Sequence, residues 1–282
     1  MSLAPDRLAA RTTVMSAAFD LPAYCARIGY DGPTRPDYDT LAALLAAHMN
    51  AIHFENIDVL LGRPIRLDLE GLQEKIVHRR RGGYCFEQAT LFDAALKAIG
   101  FSSTARTARV TMVTAPDKAP RGHMFLVVAL PEGEFVVDPG LGGFGCRSPI
   151  PIDGRPARDG DETNLIVFDG RRRMLKIESG GRKIDAWMAG LDDDNSIDFE
   201  VANHWYSTHP ASTMRQRLLM RAMTPRGRVT VMNRDVTVRT DGAARTFQLE
   251  DRKALRSLLR DTFAFDLPEA ETLAVPTVPD WS

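Results

Sequence analysis

Cysteine is scarce in this 282-residue chain: Cys25, Cys85 and Cys146 stand roughly sixty positions apart with no Cys-x-x-Cys pair. An odd count at that spacing excludes a disulfide framework and a zinc ribbon, and it fits reduced thiols in the cytoplasm. A surplus of one charge is missing too. The 36 Lys and Arg against 37 Asp and Glu leave a net −1, so neither nucleic acid nor a membrane surface is an expected partner. No apolar run approaches the roughly 20 residues that span a bilayer. Asp6, Arg7 and Arg11 interrupt the N-terminus before a signal-type stretch develops, so residues 1–18 read as a loose leader. The histidines are scattered, and His204 and His209 do not share a helical face, which leaves no metal site. Walker loops, Gly-x-Ser-x-Gly elbows and internal repeats are absent. Gly140-x-Gly142-x-x-Gly145 has the spacing of a dinucleotide loop, but Cys146-Arg147-Ser148-Pro149-Ile150-Pro151 cannot open the required helix. A flexible glycine loop is the expectation there.

What is present is a globular composition, 44% hydrophobic and 26% charged, in a chain long enough for two or three compact units. Its N-terminal part reads as helical. Leu21, Tyr24, Cys25 and Ile28 form an amphipathic stripe that closes at Asp31-Gly32-Pro33 and places Cys25 in the core. Leu41, Leu44, Leu45, His48 and Ile52 mark a second helix over residues 39–52. Leu69, Leu72 and Ile76 mark a third, from near Asp68 to Arg79-Arg80-Arg81. Cys85, Ala89, Phe92, Leu96 and Ile99 mark a fourth, with Gly100 as its C-cap. Short β-type runs follow at residues 105–113, 123–130, 134–138, 165–168 and 174–178, the pattern of an antiparallel sheet or barrel. From about Ala211 an amphipathic segment with Met214, Leu218 and Leu219 leads into runs at 229–232, 236–239 and 246–249. A last helix covers residues 251–263.

Gly82-Gly83-Tyr84-Cys85 sets a cysteine in the first turn of the fourth helix, where unpaired N–H groups and the macrodipole favour a thiolate. A cysteine so placed is either a nucleophile or a small buried apolar residue. His123 and Asp138 fall on adjacent strands joined by Leu130-Pro131-Glu132-Gly133. In that hairpin Ala129 opposes Glu134 and Phe125 opposes Asp138. His123 is then a diagonal neighbour of Asp138 at roughly 7–8 Å between Cα atoms, within reach of side-chain contact. Convergence with Cys85 makes a triad of thiolate nucleophile, imidazole base and carboxylate that fixes the imidazole tautomer.

Arg81-Gly82-Gly83-Tyr84-Cys85-Phe86-Glu87-Gln88 resembles the active-site cysteine motif of the arylamine N-acetyltransferases. His53-Phe54-Glu55-Asn56-Ile57-Asp58 is similar to that family's Phe-Glu-Asn segment, Arg121-Gly122-His123-Met124 to its histidine segment, and Val137-Asp138-x-Gly140-x-Gly142 to its aspartate segment. Ser207-Thr208-His209-Pro210 and Thr224-Pro225-x-Gly227 also match, so the resemblance runs from about Leu21 to Pro268. It implies an α+β fold: a helical bundle over residues 1–100 carrying the nucleophile, an antiparallel β-barrel over 101–205 carrying His and Asp, and an α/β lid over 206–282. A papain-like Cys-His-Asp site lies between the first two. It further implies ping-pong transfer of acetyl from acetyl-CoA, the co-substrate, to a small aromatic amine, hydrazine or hydroxylamine, with no metal. By the same resemblance Cys85 accepts the acyl group, His123 is the base and Asp138 orients it. The Cys85 N–H stabilises the oxyanion, and Phe54, Leu141 and Gly142 contact the substrate.

Other activities on the same fold are a carrier-protein-dependent amide synthase, a weakly active or non-catalytic paralogue that binds CoA or an aromatic ligand, and a cysteine hydrolase. Arg79-Arg80-Arg81 is either a solvated complement to a helix C-terminus or a contact for CoA phosphates. Glu55 and Asn56 support either the site or the helical bundle. Two departures from the family pattern stand out. Ala89 replaces the Asn that follows Gln88, and Asp138-Pro139-Gly140-Leu141-Gly142 replaces Asp-Val/Ala-Gly-Phe-Gly. Losing that aromatic forfeits roughly 0.5–1.5 kcal/mol of stacking on an arylamine. Pro139 also removes a backbone donor, so weaker aryl binding is expected.

Overall fold

The computed structural model describes residues 18–281, so the leader expected over residues 1–18 lies outside the described residues except for Ala18. Asp20 accepts a hydrogen bond from the Ala23 amide and Pro22 occupies the first turn, which starts α1 (Leu21–Ile28) where the apolar stripe begins. It ends at Gly29, φ 68°, and not at the later Asp31-Gly32-Pro33 turn, because a left-handed glycine returns the last carbonyls to hydrogen bonds sooner. Cys25 is half-buried and packs against the first apolar cluster from outside, a correction to its expected core position. Asp37 caps α2 (Tyr38–Ala51), whose Leu41, Leu44, Leu45 and His48 are buried.

Next come β1 (Phe54–Glu55), α3 (Ile57–Leu60) and α4 (Leu69–Leu72), the last capped by Asp68 and continued by a π turn, Gln73–His78. The helix α5 (Cys85–Ile99) buries Cys85, Ala89, Phe92 and Leu96 and stops at Gly100, φ 103°.

Eight strands then form one antiparallel sheet: β2 (Ser102–Val110), β3 (Arg121–Leu130), β4 (Gly133–Val137), β5 (Ile150–Pro151), β6 (Ala157–Asp159), β7 (Glu162–Phe168), β8 (Arg173–Ser179) and β9 (Arg182–Ala189). Their order, β5-β4-β3-β2-β9-β8-β7-β6, brings the short end strands towards each other in a nearly closed barrel. The barrel interior is a cluster built around Phe125, Val136, Ile166, Leu175 and Trp187. The expected hairpin register holds, with Ala129 opposite Glu134 and Leu126 opposite Val137. The turn is tighter than four residues, because Leu130 and Gly133 still pair.

The helix α6 (Ser196–Thr208) has no clean sequence signature: Ile197 and Val201 are exposed while Phe199 and Asn203 are buried. The segment expected to be amphipathic from Ala211 is one short helix, α7 (Thr213–Gln216), followed by β10 (Leu219–Thr224). After it come β11 (Gly227–Met232), β12 (Asp235–Thr240), β13 (Ala243–Gln248), α8 (Arg252–Thr262) and a 3-10 turn, Pro268–Thr272. The second sheet has the order β1-β10-β11-β12-β13. Its first strand comes from the N-terminal part of the chain, with Phe54 opposite Arg221 and Glu55 opposite Met220. Asn56 fastens the junction by donating to the Met214 and Arg217 carbonyls and accepting from the Leu219 amide. Among the described residues no helix is long and apolar enough to cross a membrane.

Candidate active site

Cys85 is 3% exposed and opens α5. The two glycines before it run alongside β1: Gly83 N–H donates to the His53 carbonyl and Glu55 N–H to the Gly83 carbonyl. A Cβ on Gly82 would stand 2.1 Å from the His53 carbonyl oxygen, so only glycine permits this approach. Glu87, one turn into α5, accepts from the Tyr84 amide and closes the helix start.

An ionic cluster braces the same end. Lys75 lies 2.7 Å from Glu87 and 2.9 Å from Asp58, and Arg81 lies 2.7 Å from Glu55 and 3.4 Å from Asp58. Burial opposes the charge of Asp58, yet Lys75 and Arg81 outweigh it and hold the carboxyl at about 2. Burial likewise opposes the charge on Lys75, and Glu87, Glu55 and Asp58 overcome it and raise its pKa. Arg81 is therefore spent inside the protein and Arg79 pairs with Glu74 at 2.7 Å, which leaves neither free for the CoA-phosphate alternative of the arginine run.

His123 and Asp138 meet as the hairpin predicts, with Nε2 2.7 Å from Oδ2. Trp187, on β9, donates to the same oxygen from 2.9 Å and stacks on Phe125 at 4.4 Å between centroids. Burial disfavours a charged His123, but the Asp138 carboxylate, the hydrogen bond to it and the nearby Cys85 push the imidazole up to about 10. The Cys85 sulfur is also 3.8 Å from the Gly122 carbonyl oxygen. Imidazole and carboxylate are thus in direct contact close to Cys85, all three nearly excluded from solvent. Among the described residues no group of three His, Cys, Asp or Glu side chains could hold a metal.

A family model described as N-acetyltransferase matches residues 37–272. The chain is 34% identical over 257 residues to an arylamine N-acetyltransferase of Mycolicibacterium smegmatis, covering 89% of this chain and 93% of that one. The chain belongs to the arylamine N-acetyltransferase family. A second member, from Escherichia coli K12, is 32% identical over 252 residues, covering 88% of this chain and 89% of the other. The M. smegmatis arylamine N-acetyltransferase structure superposes with a TM-score of 0.86 at 32% identity over 94% of this chain and 99% of that one. The Mycobacterium marinum arylamine N-acetyltransferase in complex with CoA superposes with a TM-score of 0.85 at 30% identity, covering 89% and 94%.

In this arylamine N-acetyltransferase family member the residues expected to contact substrate are mostly out of solvent. Phe54 is 1% exposed in the first apolar cluster, and its ring fills the place a Cβ on Gly142 would need, 2.8 Å away. Leu141 is 2% exposed and points into the barrel interior, so it offers no open face where cleft contact was expected. Ala89 is fully buried in the core side of α5.

Three further residues at the site carry no signal of their own in the sequence: Trp187, Arg221 and Tyr206. Tyr206, on α6, lies on Gly122, where a Cβ would come within 1.6 Å of its ring. A polar or aromatic residue on the inward side of a strand is the available signal for the first two, and it requires the strands β9 and β10 to be recognised first.

Proposed function

We propose that this protein transfers an acetyl group from acetyl-CoA to an arylamine, arylhydrazine or arylhydroxylamine through a thioester on Cys85. The observation that carries the reading is the buried His123–Asp138 pair, Nε2 to Oδ2 2.7 Å, close to Cys85 at the start of α5. In this reading the Cys85 thiolate attacks the acetyl carbonyl, and His123 gives its proton to the departing CoA sulfur. Neutral His123 then takes a proton from the amine as the amine nitrogen attacks the thioester, which regenerates the starting pair. Asp138 and Trp187 hold the ring in one orientation throughout. The Cys85 N–H has no intrahelical partner at the first position of α5 and is the oxyanion donor of the scheme.

The M. marinum relative binds CoA, and a Salmonella typhimurium relative 30% identical to this chain is named for both N-acetylation of arylamines and O-acetylation of N-hydroxyarylamines. Phe54, Leu141 and Gly142 shape the acceptor end as a packed layer. Residues 1–100, 101–205 and 206–282 act as nucleophile-bearing bundle, barrel and lid. The chemistry needs a reduced thiol, which supports a cytoplasmic location. Incubation with acetyl-CoA alone, followed by intact mass and peptide mapping, tests the reading: one acetyl group on Cys85 is expected, and an unmodified chain overturns it.

A further inference from the structure

Between β4 and β5 the chain passes over Cys85 without joining either sheet. From Asp138 to Pro149 none of its backbone groups bonds to another backbone group among the described residues. Buried carbonyls in such a segment require another donor. Three of them, on Pro139, Leu141 and Phe144, share one guanidinium: Arg221 donates from Nη2 to Pro139 at 2.8 Å and from Nη1 to the other two.

Arg221 sits within β10, is 1% exposed and makes no ion pair among the described residues; the charged groups around it are Asp138, Arg228, Glu162 and Asp159. The turn is seated tightly on both sides. A Cβ on Gly145 would stand 2.5 Å from Nη1 of Arg221, and one on Gly140 would stand 2.5 Å from the Cα of Cys85. The two glycines allow the backbone to lie between the guanidinium and the nucleophile helix.

A buried cation is costly, and burial pushes Arg221 down to about 10 while the charge of Asp138 pulls the other way. A Leu or Met would fill the same volume at less cost. What the guanidinium adds is a planar fork that fixes several oxygens at once. On the reading of the acetyl-transfer site given above, we propose that Arg221 is its positioning residue, holding the 139–144 turn against α5 and so keeping the Asp138 carboxylate on His123.

Arg221→Ala and Arg221→Lys test this, the second retaining the charge and most of the volume while losing the fork. A misplacement of about 1 Å can cost about a hundredfold in rate, so kcat of Arg221→Ala should fall by about that factor while KM for acetyl-CoA stays within about twofold. Guanidinium ion added at millimolar concentration should restore part of the lost kcat to Arg221→Ala and nothing to wild type. Alkylation of Cys85 by iodoacetamide is read across pH in every variant, because a merely structural plug lowers Tm without moving that profile. The half-maximal pH should move upward by about one unit as the imidazole loses its carboxylate.

If Arg221→Ala does not fold, Arg221→Lys decides alone, with at least about a tenfold loss of kcat expected for a carboxylate left free to shift. Wild-type kcat and an unmoved alkylation profile in Arg221→Lys overturn the proposal. Should wild type form no acetyl adduct, the acetyl-transfer reading fails on its own, and the alkylation profiles still report whether Arg221 positions Asp138.

Discussion

Cys85 and Asp138 approach His123 from two sides that are fastened differently. On the Cys85 side, Lys75 and Arg81 alternate with Glu55, Asp58 and Glu87, so each buried charge has an opposite neighbour and several have more than one. On the Asp138 side the 139–144 turn makes no backbone–backbone hydrogen bond among the described residues and three of its carbonyls share Arg221, the next fastening being Arg147 on Asp159. Redundancy, not bond strength, separates the two. Removing any one carboxylate of the ionic cluster leaves each cation another counter-charge, whereas removing Arg221 releases three carbonyls together. The nucleophile end is expected to yield gradually to substitution and the carboxylate end abruptly.

The largest effect comes from removing the chemistry and leaving both fastenings in place. Cys85→Ser should lose acetyl transfer by at least about 10⁵-fold, the scale of nucleophile loss in a concerted triad, with Tm essentially unchanged. Retention of more than a few per cent of wild-type transfer would falsify the covalent route. Asp138→Asn comes next, with transfer down by about 10²- to 10⁴-fold because the imidazole loses both its orientation and the charge that stabilises it.

The same variant has a pH signature. His123 is raised to about 10 when folded, so its proton stabilises the native state fully below about 6.5, the usual histidine value, and that contribution is lost as pH rises through about 10. Denaturant unfolding should therefore show the widest gap between wild type and Asp138→Asn near pH 6 and a narrower one at pH 10. A gap that widens with pH contradicts the assignment.

Smaller effects separate the two fastenings. Glu87→Gln leaves Lys75 with Asp58, so its stability loss should be about 2 kcal/mol, below the roughly 3–5 kcal/mol seen when a buried charge loses its sole partner. A loss at the upper end of that range would deny the cluster its redundancy. Leu141→Phe should be smaller still. Leu141 lies in the barrel interior, so a larger ring overpacks it by about 1–2 kcal/mol without raising kcat/KM for arylamines. A gain in kcat/KM across a panel of arylamines would show that this position does face the acceptor.

How much of this is legible in the sequence depends on whether the deciding interaction is local. The Asp20, Asp37, Asp68 and Asp251 caps sit next to the helices they start, and the β3–β4 register follows from one short turn, so the meeting of His123 with Asp138 can be worked out from residue order and strand geometry alone. The ordered motifs from Arg81 to Thr224 point to the family for the same reason, each being a short contiguous signal.

Trp187 is hidden because β9 does not alternate. The register shift after Leu175 sends Ala186 and Trp187 both inward, and the last four residues of the strand are all buried, so the period-of-two signal fails. Arg221 is hidden because β10 buries residues on both faces, which reads as a helix-like apolar run interrupted by a charge. The direction of Leu141 is illegible for another reason: a turn held by a distant side chain has no periodicity to read.

In the proposed cycle the acetyl group rests on Cys85 between donor and acceptor. The most direct measurement is to load the enzyme with acetyl-CoA, remove all CoA by rapid gel filtration, and add an arylamine to the isolated protein. One equivalent of N-acetylarylamine is expected to form as the acetyl mass leaves Cys85. Product that appears only when acetyl-CoA and amine are present together, with no acetyl carried through the filtration, would contradict it.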